Sequence, residues 1–280
     1  MIQKQKQIIG NAKSHSYPEI AGIRVHIVYD IMNDEDVFRF SRLKHGSGII
    51  TRQFSKDLAE RINDTLGNQI ALAPCEWGIV SIGSSQYLGQ VTAKNLGLSY
   101  AHIRLDDYSL LNVESYDAAG TFDERNKIFS SKYFTLEKRR SFKAKNAIFV
   151  DDMLNRGVTF MKSRDYLEEQ HGLAVAGVYV LFSIAHVEDA SIEECVSDAF
   201  VNAEGIGALI KMINEEDVYI TRRLLKSLFY RKDRWRILLA LNPRKSLVLI
   251  SKGLSSMSAK IWVLMKAGGG KPKRHQTWKT

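Results

Sequence analysis

The chain has 280 residues, of which 45% are hydrophobic and 25% charged, and its formal net charge is +9. This balance is typical of a folded soluble protein and argues against a disordered or fibrous chain. No stretch approaches the roughly 20 uninterrupted apolar residues that a membrane span needs. Residues 1–6 are polar and lack the apolar core of a secretory signal. We therefore expect a cytoplasmic protein that makes no membrane contact.

The positive charge is concentrated towards the C-terminus. Residues 211–280 hold 17 Lys and Arg against 4 Asp and Glu, a net of +13, whereas the other 210 residues hold 23 against 27, a net of −4. Such an asymmetry is typical of a segment that contacts nucleic acid or another acidic partner. A helix with one solvated basic face would give the same pattern, so both interpretations stay open.

Residues 1–70 are interpreted as a separate N-terminal extension. Alternating apolar and polar residues over 23–28 predict a short strand. Apolar residues four positions apart over 54–66 predict a helix, with Gly67 as its stop signal.

Between residues 71 and about 185, short apolar runs alternate with helical patterns. Strands are predicted over 78–82, 100–105, 147–150 and 174–182, helices over 88–96 and 159–169, and a long polar stretch over 106–146. Strands alternating with helices indicate a parallel sheet covered by helices. Because ligands bind such sheets at the carboxyl ends of the strands, the loops 83–89 and 151–159 are the candidate ligand-binding loops.

The chain is predicted to be helical after about residue 210. An apolar stripe formed by Leu224, Leu225, Leu228 and Phe229 lies among the basic residues Arg222, Arg223, Lys226, Arg231 and Lys232. Three consecutive glycines, 268–270, begin a tail of flexible composition. Residues 211–280 are therefore interpreted as a basic helical segment.

The strongest motif follows the apolar run 147–150. Asp151 and Asp152 come next, and then Asn155, Arg156, Gly157, Val158 and Thr159 lead into a helix. Two neighbouring carboxylates can accept hydrogen bonds from vicinal ribose hydroxyls, and a loop that enters a helix points backbone N–H groups at an anion. The motif predicts a sugar-phosphate site, although two acids that merely end a strand would give the same pattern.

This segment resembles the phosphoribosyl-diphosphate fingerprint of type I phosphoribosyltransferases, in which four apolar residues and two acids precede a loop containing glycine and threonine. The resemblance implies that Asp151 and Asp152 are catalytic-site residues holding the ribose 2′ and 3′ hydroxyls, and that residues 155–159 wrap the 5′-phosphate. One position departs from the pattern: Arg156 stands where the family usually has a small hydroxyl residue.

A second match lies upstream. Gly83, Ser84 and Ser85 stand between a predicted strand and a helix, where the family places its diphosphate-binding loop. Serine hydroxyls at a helix start can cap the helix or bind an anion. By the same resemblance, the polar stretch 106–146 corresponds to a mobile catalytic loop, and a surface insertion is the alternative. The expected fold is α/β, with a phosphoribosyltransferase-like parallel-sheet core at 71–210, the N-terminal extension and the basic helical segment.

The resemblance implies an enzyme of nucleotide metabolism that binds 5-phosphoribosyl diphosphate and transfers its ribosyl phosphate to an acceptor that the sequence does not identify. Magnesium would arrive with the diphosphate, and the seven histidines show no metal-ligand spacing. The alternative is a regulatory or effector module of a bacterial conflict or antiviral defence system. Such a module would sense the ligand and dock on nucleic acid or a protein through residues 211–280. The sequence leaves open whether the protein forms a homo-oligomer.

Overall fold

A computed structural model describes residues 19–20, 22–29, 34–105, 134–138, 142–154, 157–183, 205–229 and 234–252. The chain divides into two units, of which the first ends at Thr221 and the second begins at Arg222. None of the helices within these ranges is long and apolar enough to cross a membrane.

The first unit alternates strands and helices. Its elements are β1 (Glu19–Ile20), β2 (Ile23–Tyr29), α1 (Asp34–Lys44), α2 (Gly48–Leu72), β3 (Trp77–Ile82), α3 (Gln86–Leu96), β4 (Ser99–Leu105), β5 (Phe134–Lys138), β6 (Asn146–Leu154), α4 (Val158–His171), β7 (Ala174–Ser183) and α5 (Ile206–Glu215). A 3-10 turn, Gly83–Ser85, joins β3 to α3.

The strands form one seven-stranded sheet in the order β1-β2-β7-β6-β3-β4-β5. The five inner strands run parallel, while β1 and β5 pair antiparallel at the two edges. Helices α1, α2 and α3 pack on one face of the sheet and α4 packs on the other. One apolar cluster lies between the sheet and the helices on each face. The prediction of an α/β fold with a mostly parallel sheet is therefore confirmed.

Burial explains why these segments are strands. All six residues of β3 are buried, and β7 is buried from Gly177 through Phe182. A parallel strand covered on both faces reads as a continuous apolar run, and that run was the signal in the sequence.

The sheet has a topological switch point between β3 and β6. The chain leaves β3 through α3 to β4 on one side, and it leaves β6 through α4 to β7 on the other, while β3 and β6 are neighbours. The β3–β6 pairing ends at Ser81 and Val150, but β6 continues beside β7 to Leu154. The last part of β6 thus faces the loop that follows β3, at the crevice where ligands bind in such sheets.

The N-terminal residues belong to the sheet. Strand β2 pairs in parallel with β7, and α2 buries Phe54, Leu58 and Ile62 completely in the core beneath it. The expected boundary after residue 70 therefore does not separate two units. The boundary expected after residue 210 lies instead after Thr221, because α5 and the residues that follow it belong to the first unit.

Two local predictions needed correction. Gly67 is not a stop signal, because α2 runs through it to Leu72 and ends at Ala73, just before Pro74. The stretch 106–146 is not entirely a loop, because its described residues include the strand β5. Phe134 and Leu136 of this strand pack against the apolar cluster on the α4 face.

The second unit is helical in its described part, with α6 (Arg222–Phe229), α7 (Arg234–Ala240) and a further helix over 243–252. In the predicted apolar stripe, Leu224 and Leu228 are fully buried and Leu225 is half-buried.

Candidate functional site

The acid pair lies within β6, not after its end. Because successive strand residues point to opposite faces, the two carboxyl groups leave the strand in different directions. Asp151 lines a cavity on the α4 side, and Asp152, only 4% exposed, meets α1 on the other. The sequence placed the end of this strand at residue 150, but it continues to Leu154 by pairing with β7.

The loop after β3 contacts the acid pair directly. The Ser85 hydroxyl donates to Asp151 Oδ1, and it accepts the Asp152 backbone N–H at 3.1 Å. The Ser84 hydroxyl donates to Asp152 Oδ2 at 3.3 Å. The sequence assigned these serines and acids to two separate parts of a ligand site, and the structure brings them together at the switch point.

Lys44, the last residue of α1, completes this cluster. Its ammonium group donates to Ser84 Oγ at 2.9 Å and forms an ion pair with Asp152 Oδ2, and its side chain is only 13% exposed. The sequence reasoning missed this residue. A helical reading of 34–44 would have found α1, but no local signal connects Lys44 to a strand 108 residues later.

The environment of the pair changes its ionisation. Burial, together with the neighbouring Asp152 carboxyl, raises the pKa of Asp151 to about 7, although the Ser85 hydrogen bond and the Lys44 charge act in the opposite direction. Near neutral pH Asp151 can therefore donate as well as accept a hydrogen bond.

A cavity of about 60 Å³ lies between Asp151 and the start of α4. Its lining also includes Gly157, Val158, Thr159 and Phe160, together with Phe149, Met153, Leu154, Val178 and Val180. This volume has room for a few water molecules, so the cavity accepts a small group and not a whole nucleotide. Of the predicted loop 155–159, Asn155 and Arg156 lie outside the described residues.

Gly157 caps the N-terminus of α4 in a left-handed conformation, with φ of 78°. A side chain is strained in that conformation, and a Cβ atom here would also lie 3.0 Å from Ile20 Cδ1. Glycine thus lets the chain enter α4 with its first N–H groups next to the cavity, which is the arrangement that binds anions.

A buried hydrogen-bond network supports the loop after β3. The Tyr100 hydroxyl donates to the Gln86 carbonyl at 2.7 Å, and Ser81 Oγ lies 2.7 Å from the same hydroxyl. His102 Nδ1 is 3.2 Å from Ser81 Oγ, and burial lowers the pKa of His102 to about 4, so its ring is neutral at physiological pH. This network fixes the first residue of α3, directly after the two serines.

No protein-family model matches this chain, and no curated protein matches it. Its function has to be inferred from the site itself.

Proposed function

We propose that the protein binds 5-phosphoribosyl diphosphate at the switch point between β3 and β6 and transfers the ribosyl phosphate to an acceptor. One observation carries this proposal. The serine loop and the acid pair, which the sequence pattern associates with different parts of the ligand, are joined by direct hydrogen bonds at the crevice.

Each part of the ligand has a matching group. In this proposal the carboxyls of Asp151 and Asp152 accept hydrogen bonds from the ribose hydroxyls, each worth about 1.5–3 kcal/mol when one partner is charged. The small cavity beside Gly157 and the start of α4 suits the 5′-phosphate. Ser84 and Lys44 lie on the opposite side of the strand end, where a diphosphate would neutralise the ammonium group.

In the transfer reaction, the bond from ribose C1 to the diphosphate oxygen breaks, and a bond from C1 to the acceptor nucleophile forms. The transition state resembles an oxocarbenium ion, so the protein contributes by positioning the sugar and stabilising the departing negative charge. Lys44 supplies a fixed positive charge for that purpose. Its ion pair with Asp152 would be exchanged for contacts with the diphosphate when the ligand binds.

Magnesium fits this arrangement as an ion carried by the diphosphate. The described residues contain no group of three or more His, Cys, Asp or Glu side chains that could hold a metal, and Mg²⁺ usually keeps several waters and binds through one or two carboxylates plus substrate phosphates. Asp151 or Asp152 would be the protein ligand. When bound, the ion would neutralise part of the diphosphate charge.

A titration with the ligand and its fragments tests the proposal. With Mg²⁺ present, calorimetry should show that 5-phosphoribosyl diphosphate binds at least about ten-fold more tightly than ribose 5-phosphate or diphosphate alone, because it engages both halves of the site. Release of diphosphate on addition of a nucleobase would establish transfer. Absence of binding at millimolar ligand would refute the assignment.

The charge of residues 211–280, 17 Lys and Arg against 4 Asp and Glu, supports a second candidate function. In it, the ligand site is a sensor in a regulatory or defence protein, and the basic segment docks on nucleic acid. Affinity for nucleic acid should then fall steeply with salt as counterions are released. Replacing Arg222, Arg223 and Lys226 with Gln should flatten that dependence, while salt-insensitive association would favour a protein partner.

A further inference from the structure

Lys44 reaches the site from a short turn. Helix α1 ends at Lys44 and α2 begins at Gly48, so the position of the ammonium group depends on how the residues 42–47 are held. We call this segment the lysine turn. The residues 216–221, which follow α5 and precede the basic second unit, contact it at several points, and we call them the clasp.

Glu216 is the buried centre of these contacts, with 7% of its surface exposed. Its carboxylate forms an ion pair with Arg42 and accepts a hydrogen bond from the Ser47 hydroxyl. Ser47 also caps α2 by accepting the Ile50 N–H. One carboxylate therefore holds both ends of the lysine turn.

The backbone of the clasp fixes the middle of the lysine turn. The Tyr219 N–H donates to the Gly46 carbonyl at 2.8 Å, and Ser47 pairs with Val218 in an isolated antiparallel bridge. Gly46 has φ of +90°, and a Cβ atom there would overlap the Tyr219 carbonyl. The approach is thus so close that only glycine permits it.

The clasp also touches Lys44 itself and the other half of the site. The Thr221 hydroxyl donates to the Lys44 carbonyl at 3.0 Å. The Tyr219 ring stacks on Tyr87 at a centroid distance of 4.3 Å, and Tyr87 lies in the first turn of α3, two residues after Ser85. The same short segment therefore supports both Lys44 and the helix that follows the serine loop.

We propose that the clasp positions Lys44 for the diphosphate, with Glu216 as its principal positioning residue. This inference rests on the proposed function. It also implies that ligand affinity is coupled to the segment connecting the ligand-binding unit to the basic one, since Thr221 is the last residue of the first unit. A partner that displaces the clasp would loosen Lys44 without touching the acid pair.

A double-mutant cycle tests the positioning role in the full-length protein. Glu216→Gln should weaken 5-phosphoribosyl diphosphate binding at least about five-fold, because small misplacements of a positioned charge are costly. In a Lys44→Met background the same change should alter affinity less than about two-fold, since the two residues act as one unit. Asp217→Asn, at the exposed neighbouring acid, is the matched control and should leave affinity unchanged. Additive effects of Glu216→Gln and Lys44→Met would overturn the inference.

A second measurement needs no ligand. The rate at which an amine-selective reagent modifies Lys44, followed by mass spectrometry, should rise in Glu216→Gln and stay at the wild-type value in Asp217→Asn. Thr221→Val, which removes one hydrogen bond at nearly constant volume, should raise the rate too and covers the case in which Glu216→Gln does not fold. Unchanged labelling in folded Glu216→Gln or folded Thr221→Val would overturn the positioning role. Increased labelling in a protein that binds no 5-phosphoribosyl diphosphate would refute the proposed function alone.

Discussion

Two polar regions of the first unit invite comparison. One is the candidate site at the switch point, with a cavity of about 60 Å³. The other is an open cleft of about 570 Å³ beside the edge of the parallel sheet, which we call the edge cleft. It is lined by Ile27, Val28, Tyr29, Arg39, Gln53, Asp57, Glu60, Arg61 and Asp64. By volume alone, the edge cleft would be the better candidate.

The two regions differ in how their charged groups are assembled. In the edge cleft Glu60, Arg61 and Asp64 are exposed neighbours on one face of α2, as on any solvated helix, and the Tyr29–Asp57 hydrogen bond there spans only 28 positions. The candidate site instead joins groups from α1, the β3 loop and β6, which are far apart in the chain. We therefore take this cluster as the stronger candidate for a ligand site.

The pKa shifts point the same way. In the edge cleft, burial and the Asp57 partner raise the pKa of Tyr29 to about 12, so the phenol stays neutral at any physiological pH. At the candidate site, the shift brings the pKa of Asp151 to about 7. A group that changes charge near working pH is the more informative of the two. The joining of polar groups from distant parts of the chain and a pKa near neutrality thus identify the candidate site better than cavity volume does.

The largest effect on ligand affinity is expected when acids are replaced by amides in each region separately. Above pH 7, where Asp151 is ionised, Asp151→Asn with Asp152→Asn removes carboxylate acceptors worth about 1.5–3 kcal/mol each and should weaken 5-phosphoribosyl diphosphate binding at least ten-fold by calorimetry. The matched control, Glu60→Gln with Asp64→Asn in the edge cleft, removes the same charge and should leave affinity unchanged. The reverse result would move the ligand to the edge cleft.

The second largest effect is expected in the pH dependence of stability, which tests the raised pKa of Asp151 at the candidate site. Between about pH 4 and 7 the unfolded chain ionises Asp151 while the folded protein keeps it protonated. Stability of the wild type relative to Asp151→Asn should therefore fall as pH rises through this window, by at most about 1.4 kcal/mol per unit.

The experiment should follow the difference in unfolding free energy between the wild type and Asp151→Asn, because His26 and His102 change the stability of both proteins in the opposite direction. Burial lowers the pKa of both to about 4, so each makes stability rise with pH between about 4 and 6.5. Urea unfolding at several pH values measures the difference, in which these histidine contributions cancel. A flat difference would mean that Asp151 titrates normally.

The two glycines at the ends of α4 offer an internal control for the proposed phosphate cavity. Gly157 and Gly172 both have left-handed φ values, of 78° and 61°, so replacement of either by Ala should cost roughly 1–2 kcal/mol of stability. Only Gly157→Ala should also weaken ligand binding, since it alone lies at the cavity. Equal ligand affinity in the two variants would place the phosphate elsewhere.

The smallest effect is expected in the edge cleft. Tyr29→Phe removes the hydrogen bond to Asp57 and should lower the free energy of unfolding by about 0.5–1.5 kcal/mol. Ligand affinity should not change. A loss of affinity as large as that of the acid-pair variant would show that the two regions work together.

The sequence predicted what depends on neighbouring residues. The apolar runs predicted the strands β3, β4, β6 and β7 but not the edge strand β5, because a strand covered on both faces has to be apolar at nearly every position. The acid pair and the serine loop were found for a similar reason. The serine loop follows β3 and the acid pair lies in the last part of β6, and in a parallel sheet the strand ends lie at a common edge.

The rest depends on contacts between distant residues. Lys44 meets Asp152 over 108 positions, and Glu216 meets Arg42 over 174, so no local periodicity relates these residues. Helix α2 was predicted too short because Gly67 was taken as its end. Tertiary packing of Phe54, Leu58 and Ile62 stabilises that helix more than one glycine weakens it.

The pairing of β2 with β7 also determines when the sheet is completed during protein synthesis. Val25 pairs with Val178, so one side of β2 has no partner until almost the whole first unit has left the ribosome. At typical elongation rates of about 5–20 residues per second this interval is roughly 10–30 s. Strands β3 and β6 are both synthesised before β7, but the last part of β6 pairs with β7 and not with β3. The switch-point crevice is therefore completed only when β7 is added, and until then β2 exposes a free edge. During this interval the nascent chain is most open to wrong strand pairing.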